Sequence, residues 1–151
     1  MNIHEYQGKE LLRANGVPVL DGVHCKTVEE ALDAYDSLNS KVVAVKSQIH
    51  AGGRGKGTLY NPKTRDHVMD GGVKIAFSRD EVKSYSENIL GNILVTIQTG
   101  DEGKLVSNLY IESGCDIEHE YYLALLVDRE NKAVMIMAST EGGMNIDCLL
   151  Y

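Results

Sequence analysis

The 151-residue sequence predicts an α+β fold with two subdomains. Helical and strand-like patterns alternate as far as Gly91, and four strand-like runs follow with no helical pattern between them. Thr27 and Ser78 each stand three residues before a glutamate, a spacing that marks the N-terminus of a helix. The change of pattern divides the chain into two parts, residues 1–95 and residues 96–151.

The first part is expected to hold three helices, two strands and one extended stretch. An amphipathic pattern over residues 4–15, which ends at Gly16, predicts the first helix. The β-branched apolar run from Lys41 to Ser47 predicts a buried strand. The other expected elements are an extended stretch over 17–26, helices that begin at Thr27 and Ser78, and a strand over 72–77.

The second part contains strand-like runs that are separated by short turns. They cover residues 93–98, 106–112, 120–127 and 134–139. Residues 145–151 have the pattern of an amphipathic helix that has only begun, with three apolar residues at its end. Either this tail docks on the fold or the chain is an N-terminal piece of a longer protein, and we expect the second.

The charge and the composition exclude several classes of protein. A net charge of −7 argues against nucleic-acid binding and against docking on anionic membranes. The longest apolar run, Tyr121 to Val127, is far shorter than the roughly 20 residues that span a membrane. The N-terminus lacks a signal-peptide pattern, and Cys25, Cys115 and Cys148 form no paired motif. We therefore expect a cytoplasmic protein with reduced thiols.

A glycine-rich segment, residues 51–57, is the strongest candidate for a binding site. The window from Ser37 to Arg65 around it holds six of the 15 cationic side chains and no Asp or Glu. Glycine lets backbone N–H groups approach an anion, and Arg54 has the geometry to donate two parallel hydrogen bonds to a phosphate. Lys46 ends the preceding strand. The pattern leaves two interpretations open, a phosphate site and a flexible basic surface loop.

A second candidate is the segment from Glu112 to Glu120, which carries four carboxylates between two apolar strands. These groups could accept hydrogen bonds from a ribose or an exocyclic amine, but the pattern alone favours a solvated acidic turn. The five histidines show neither metal-ligand spacing nor a nucleophile–base arrangement. His50 beside the loop is expected to pack locally, and Cys25 and Cys115 to be small buried side chains. We therefore assign no catalytic residue and no metal ligand.

Four blocks of the sequence resemble the β subunit of succinyl-CoA synthetases, in the same order and from residue 1 onwards. They are MNIHEYQGK at 1–9, Lys46 with QIHAGGRGK at 48–56, LVT with QT between 94 and 99, and MASTEGG at 137–143. The resemblance implies an ATP-grasp fold, in which two α+β subdomains hold a nucleotide between them. The first would be residues 1–95, and residues 96–151 would be an incomplete second.

The resemblance also implies roles for individual residues. Lys46 matches the strand lysine that contacts the nucleotide phosphates. Part of the family's phosphate loop is matched by Gly53, Arg54 and Gly55. The residues that hold the base and the ribose are matched by Glu112 at the hinge, by Cys115 through its backbone, and by Glu120 at the ribose.

For the complete protein the resemblance implies a ligase that joins succinate and CoA while it cleaves ATP or GTP. Its Mg²⁺ ligands would lie beyond Tyr151, and an α subunit would carry the phosphohistidine. The chain by itself is expected not to turn over. Residues 57–70 depart from the family's shorter form and resemble a surface insertion. Two alternatives stay open: a malate–CoA or other acid–thiol ligase, and a non-catalytic nucleotide-binding or association module. If the protein is eukaryotic, we expect it in the mitochondrial matrix and not in the cytoplasm.

Overall fold

A computed structural model describes residues 2–142, which form two compact units. The first unit extends to Cys115 and the second begins at Asp116. The first unit passes the predicted boundary after residue 95, because a strand beyond that residue pairs within its central sheet. The division of the whole ATP-grasp domain at residue 95 stays a prediction. The tail predicted to begin a helix, residues 145–151, lies outside the described residues.

The first unit combines helices with two antiparallel sheets. Its helices are α1 (Glu5–Ala14), α2 (Val28–Leu38) and α3 (Arg79–Ile89). Its first five strands are β1 (Gly22–Cys25), β2 (Val43–Ser47), β3 (Thr58–Tyr60), β4 (His67–Asp70) and β5 (Val73–Ala76). Three more follow α3: β6 (Ile93–Val95), β7 (Lys104–Leu105) and β8 (Leu109–Ser113). The predicted mixture of helices and strands is confirmed.

The central sheet has the strand order β1-β8-β2-β5 and carries the core. Val43 and Val45 of β2 and Ile111 of β8 are fully buried, as expected for the β-branched run. The antiparallel register places Lys46 opposite Tyr110, and it places Ala44 opposite Glu112. Helices α2 and α3 contact this sheet and each other, so the apolar faces of both helices are covered.

The segment that resembles an insertion folds as the β3–β4 hairpin of the second sheet, whose order is β4-β3-β6-β7. The Asn61 side-chain oxygen accepts hydrogen bonds from the N–H groups of Lys63 and Thr64, at 2.9 and 3.2 Å, and so builds the turn between the two strands. Leu59 pairs with Leu94 of β6, and both are fully buried. Part of the insertion is therefore core and not surface.

Two predicted strands are shorter than their apolar runs. The run over 93–98 continues as a strand only to Val95, because Thr96 and Thr99 form a turn in which their hydroxyls bond to each other's backbone. The run over 106–112 becomes β8 only from Leu109. Side-chain hydrogen bonds thus end a strand where the apolar pattern predicts that it continues.

The second unit is a hairpin of β9 (Tyr122–Asp128) and β10 (Ala133–Ser139), close to the predicted runs. The Asp128 carboxylate accepts hydrogen bonds from the N–H groups of Glu130 and Asn131, both at 3.0 Å, which closes the turn. Large apolar side chains such as Leu123, Leu125 and Ile136 are exposed on this hairpin. Within residues 2–142 there is no helix of the length and apolarity that a membrane crossing requires.

Both predicted helix starts are confirmed. The Thr27 hydroxyl accepts the N–H of Glu30 at 3.1 Å, and Ser78 does the same for Glu81 at 3.2 Å. The Glu30 carboxylate reaches one residue before the cap, where it accepts the N–H of Lys26 at 2.6 Å. The Glu81 carboxylate likewise accepts the N–H of Phe77 at 2.6 Å, so the cap of each of these two helices satisfies two backbone donors.

Loss of the α2 cap should cost stability without changing the fold. We expect Thr27→Ala to lower the free energy of unfolding by about 1 kcal/mol, because the Glu30 N–H loses its acceptor. Urea denaturation followed by circular dichroism measures this difference. Thr27→Ser keeps the hydroxyl and should remain near the parent protein. Equal stability of the alanine and serine variants would contradict this role for the cap.

Candidate functional site

Lys46 is the partly exposed residue of β2, next to residues that are buried. Its Nζ donates a hydrogen bond to Oε1 of Glu5 at 2.9 Å and forms an ion pair with the buried Glu112 of β8. Lys9, on α1, also pairs with Glu112. The strand lysine predicted to bind phosphate is therefore held at a fixed place by two carboxylates.

Arg54 meets the same carboxylate from the glycine-rich loop. It begins a short 3₁₀ turn, and its Nη2 donates to Oε2 of Glu5 at 2.7 Å, while Nη1 donates to the Ser47 carbonyl. Glu5 thus bridges Lys46 and Arg54, with one oxygen on each cation. We name the group of Glu5, Lys9, Lys46, Arg54 and Glu112 the carboxylate network.

The electrostatics of the network favour the ionised form of Glu5. Burial alone would raise the pKa of the Glu5 carboxyl, but the hydrogen bonds and charges of Arg54 and Lys46 outweigh it and lower the pKa to about 2. Burial lowers the pKa of the Lys9 ammonium, and the Lys46 charge lowers it further. With three cations and two carboxylates, the network keeps one surplus positive charge.

The loop beside these cations presents backbone donors. Gly53 has a φ of +72°, and Arg54 follows in the right-handed 3₁₀ turn. This left-to-right sequence turns successive N–H groups toward one side, an arrangement known as a nest that binds anions. Within residues 2–142, the N–H groups of Gly53, Arg54 and Gly55 find no acceptor. The loop can therefore supply three donors to a phosphate.

The loop is fastened at both ends, which argues against the flexible-loop alternative. The Gly52 N–H donates to the Gln98 side chain at 2.6 Å, and the Arg54 carbonyl accepts the Gly72 N–H at 2.8 Å. At Gly57 a Cβ would lie 2.6 Å from the Val95 carbonyl oxygen, so only glycine fits this approach to β6. These contacts fix the loop against β5 and β6.

The acidic segment divides into two kinds of residue. Glu112 is only 3% exposed, because it belongs to β8 and pairs with Lys9 and Lys46. The solvated-turn interpretation is therefore wrong for Glu112. The expectation of a buried side chain is wrong for Cys115, which is exposed because it follows β8 at the end of the first unit. Glu120 is exposed in the second unit, where its carbonyl accepts the Gly142 N–H at 3.0 Å.

The other residues singled out in the sequence behave as structural groups. The His50 ring stacks on His4 at 3.9 Å between centroids, and the Tyr6 ring stacks on His24 at the same distance, so local packing is confirmed for His50. Burial raises the pKa of the Cys25 thiol to about 12, with Glu30 and Asp33 adding to the effect. A thiol with such a pKa is no nucleophile at neutral pH.

The sequence pattern did not identify Glu5 and Lys9 as site residues. Both lie on the polar side of an amphipathic helix, where a charged residue is ordinary, and Glu5 stands 41 residues from its partner Lys46. The available signal was the block at residues 1–9, which is shared with a family of nucleotide-dependent enzymes. The partners of Glu5 and Lys9 can be identified only when α1 is placed on the sheet.

The low pKa of Glu5 predicts a specific dependence of stability on acid. Because the folded-state pKa is below the ordinary value of 4.5, the ion pairs of Glu5 stabilise the protein above that pH. Their contribution is lost as the pH falls from 4.5 toward 2. We expect Glu5→Gln to be less stable than the parent at pH 7, with the difference vanishing near pH 2. Urea unfolding measured across this range tests it, and a difference that stays constant would contradict it.

No group of three or more His, Cys, Asp or Glu side chains is arranged to hold a metal ion in the part of the chain that the structure describes. The Mg²⁺ that the resemblance implies therefore finds no ready-made side-chain cage among these residues. The groups that these residues bring together suit an anion: the cationic side chains of Lys46 and Arg54, and the nest of backbone N–H donors.

Comparison with known proteins agrees with the predicted fold. A family model described as an ATP-grasp domain matches residues 2–150. The chain is 56% identical over 147 residues to the β subunit of the ADP-forming succinate–CoA ligase of Ralstonia nicotianae, 54% to that of Campylobacter fetus and 52% to that of Bacillus subtilis.

These alignments cover 97% of this chain and 34% or 35% of each relative. The chain thus spans about a third of the length of the curated relatives that it matches. The resemblance to succinyl-CoA synthetase β subunits is confirmed, and so is the ATP-grasp fold class. With a family model matched along nearly its whole length, this chain belongs to the ATP-grasp domain family.

Proposed function

We propose that this chain is the phosphate-binding portion of the β subunit of a succinate–CoA ligase. The observation that carries the proposal is the nest at Gly53–Gly55 next to two cations that share one carboxylate, Lys46 and Arg54. Binding of a nucleotide's phosphate chain needs both kinds of group: N–H donors that form hydrogen bonds to the phosphate oxygens, and fixed positive charges that neutralise them. The family and the relatives support the same assignment.

In this proposal the groups of the first unit divide the work. The N–H groups of Gly53, Arg54 and Gly55 cradle phosphate oxygens, and Lys46 and the Arg54 guanidinium neutralise their charge. Such groups act by position and electrostatics, since phosphoryl transfer asks little covalent chemistry of the protein. We further propose that the remaining three residues hold the base and ribose, with Glu112 and Cys115 at the base and Glu120 at the ribose.

We propose an adenine nucleotide as the ligand, because the similar relatives are ADP-forming enzymes by name. Mg²⁺ would accompany the nucleotide, with ligands outside the described residues, and would neutralise phosphate charge. The complete protein would work with an α subunit that carries the phosphohistidine, and it would use succinate and CoA. Its place would be the cytoplasm, or the mitochondrial matrix in a eukaryote.

The experiment that tests the proposed function compares this chain with a complete β subunit that contains it. Each is mixed with the α subunit, and ADP release from ATP is followed with and without succinate and CoA. We expect release that depends on both substrates from the complete subunit and none from the 151-residue chain. Replacing succinate by malate distinguishes the two ligases. Release by the complete subunit only with malate, or with neither acid, would contradict the proposal.

A further inference from the structure

The Glu5 carboxylate pairs with the two cations that the proposed function assigns to a phosphate group. Its two oxygens point to different cations, Lys46 Nζ at 2.9 Å and Arg54 Nη2 at 2.7 Å. Two oxygens of one phosphate would make the same pair of charge-assisted contacts. A phosphate held by both cations and a Glu5 held by both cations therefore compete for the same two cations.

The two carboxylates of the network differ in their freedom to leave. Glu112 is 3% exposed and belongs to a central strand, so its departure would leave Lys9 and Lys46 without a buried partner. The Glu5 side chain is 21% exposed and projects from α1, a helix that contains no fully buried residue. Rotation of one side chain is enough to release Glu5 from both cations.

Helix α1 keeps other attachments when Glu5 is released. Lys9, one turn further along the helix, remains paired with Glu112. Next to the first turn, Tyr6 stacks on His24 at 3.9 Å, and the Tyr6 N–H donates to the Gln48 side chain at 3.4 Å. The exchange therefore requires movement of a side chain and leaves the helix in place.

We propose that Glu5 is an internal competitor for the nucleotide phosphates, which fills their site on Lys46 and Arg54 until a nucleotide displaces it. The inference rests on the proposed function, because it names a further residue of the same site. Glu5 pairs with both cations in this structure. A tethered carboxylate competes at a high effective concentration. A ligand must therefore bring several oxyanions, some of them for the nest, to replace it.

The proposal predicts that removing the Glu5 charge strengthens nucleotide binding. Glu5→Gln raises the surplus positive charge of the network from one to two and leaves Arg54 with a weaker acceptor. We expect ADP to bind this variant about tenfold more tightly than the parent, the scale of one charge-assisted hydrogen bond. Glu10→Gln is the matched control, since Glu10 lies on the same helix, is exposed and makes no ion pair with any described residue. Its ADP affinity should equal that of the parent.

Isothermal titration with ADP measures all variants, and thermal unfolding checks that each is folded. Glu5→Asp keeps the charge but is too short to bridge both cations, so its affinity should fall between those of parent and Glu5→Gln. This variant decides the matter if Glu5→Gln does not fold. An ADP affinity that is unchanged or weaker in both variants would show that Glu5 supports the cations, and would overturn the inference while the proposed function stands. Absence of ADP binding by the parent and by every variant would overturn both.

Discussion

Replacement of Glu112 by leucine should destabilise the protein by about 3 kcal/mol, among the largest effects expected of a single change in this chain. Glu112 is 3% exposed and pairs with both Lys9 and Lys46. Without it, the two ammonium groups face each other at the sheet with only Glu5 between them. Breaking a buried ion pair costs more than forming it contributes, because a desolvated charge remains. Urea denaturation gives the difference directly.

A matched control and a rescue variant separate this effect from the effect of removing any carboxylate. Glu102→Leu removes an exposed carboxylate that makes no ion pair with any described residue, and it should change stability by no more than roughly 0.5 kcal/mol. Lys9→Met added to Glu112→Leu removes one of the stranded cations and should recover part of the loss. If the double variant is less stable than Glu112→Leu, the buried-charge explanation is wrong.

Lys46→Met should weaken ADP binding by about 100-fold, a loss of roughly 2.7 kcal/mol. Methionine keeps most of the aliphatic stem and removes the ammonium group that the proposed site aims at the phosphates. Fluorescence or calorimetric titration with ADP measures the change. Lys9 still pairs with Glu112 in this variant, so the fold is expected to persist.

Lys63→Met is the control for net charge. Lys63 belongs to the same acid-free window but lies exposed in the β3–β4 turn, where its side chain pairs with no described residue. Both variants lower the net charge by one, so only a specific contact separates them. We expect ADP affinity within about twofold of the parent for Lys63→Met. If both variants lost the same ADP affinity, the loss would come from the long-range electrostatic field of the basic window, and a specific contact of Lys46 with ADP would be contradicted.

Local signals predicted most of the fold, since they depend on neighbours in the chain. The caps at Thr27 and Ser78 and the buried strand before the glycine-rich loop lie where their patterns place them. The hairpin at β3–β4 was missed because Leu59 is an isolated apolar residue in a polar stretch, and its burial depends on β6. Tertiary pairing decides such a strand, and the pattern of one segment does not contain it.

The candidate site was predictable only in part, for the same physical reason. Lys46 and Arg54 were identified because a strand end and a glycine-rich loop adjoin in the sequence. The Glu5 carboxylate that bridges them comes from a distant helix, and the burial of Glu112 follows from its pairing with β2. An acidic pattern is the same for a solvated turn and for an ion pair at a strand end. The family resemblance pointed to Glu112 as a site residue, which the spacing of the acidic residues alone did not.

A titration of the ¹⁵N-labelled protein with ADP, followed by two-dimensional amide NMR, tests directly whether the N–H groups of Gly53, Arg54 and Gly55 bind phosphate oxygens. We expect these three amide resonances to show the largest shifts, toward lower field as for donors to an anion. In Lys46→Met these shifts should disappear. ADP binding that leaves these three resonances in place, or shifts only resonances elsewhere in the chain, would contradict the claim.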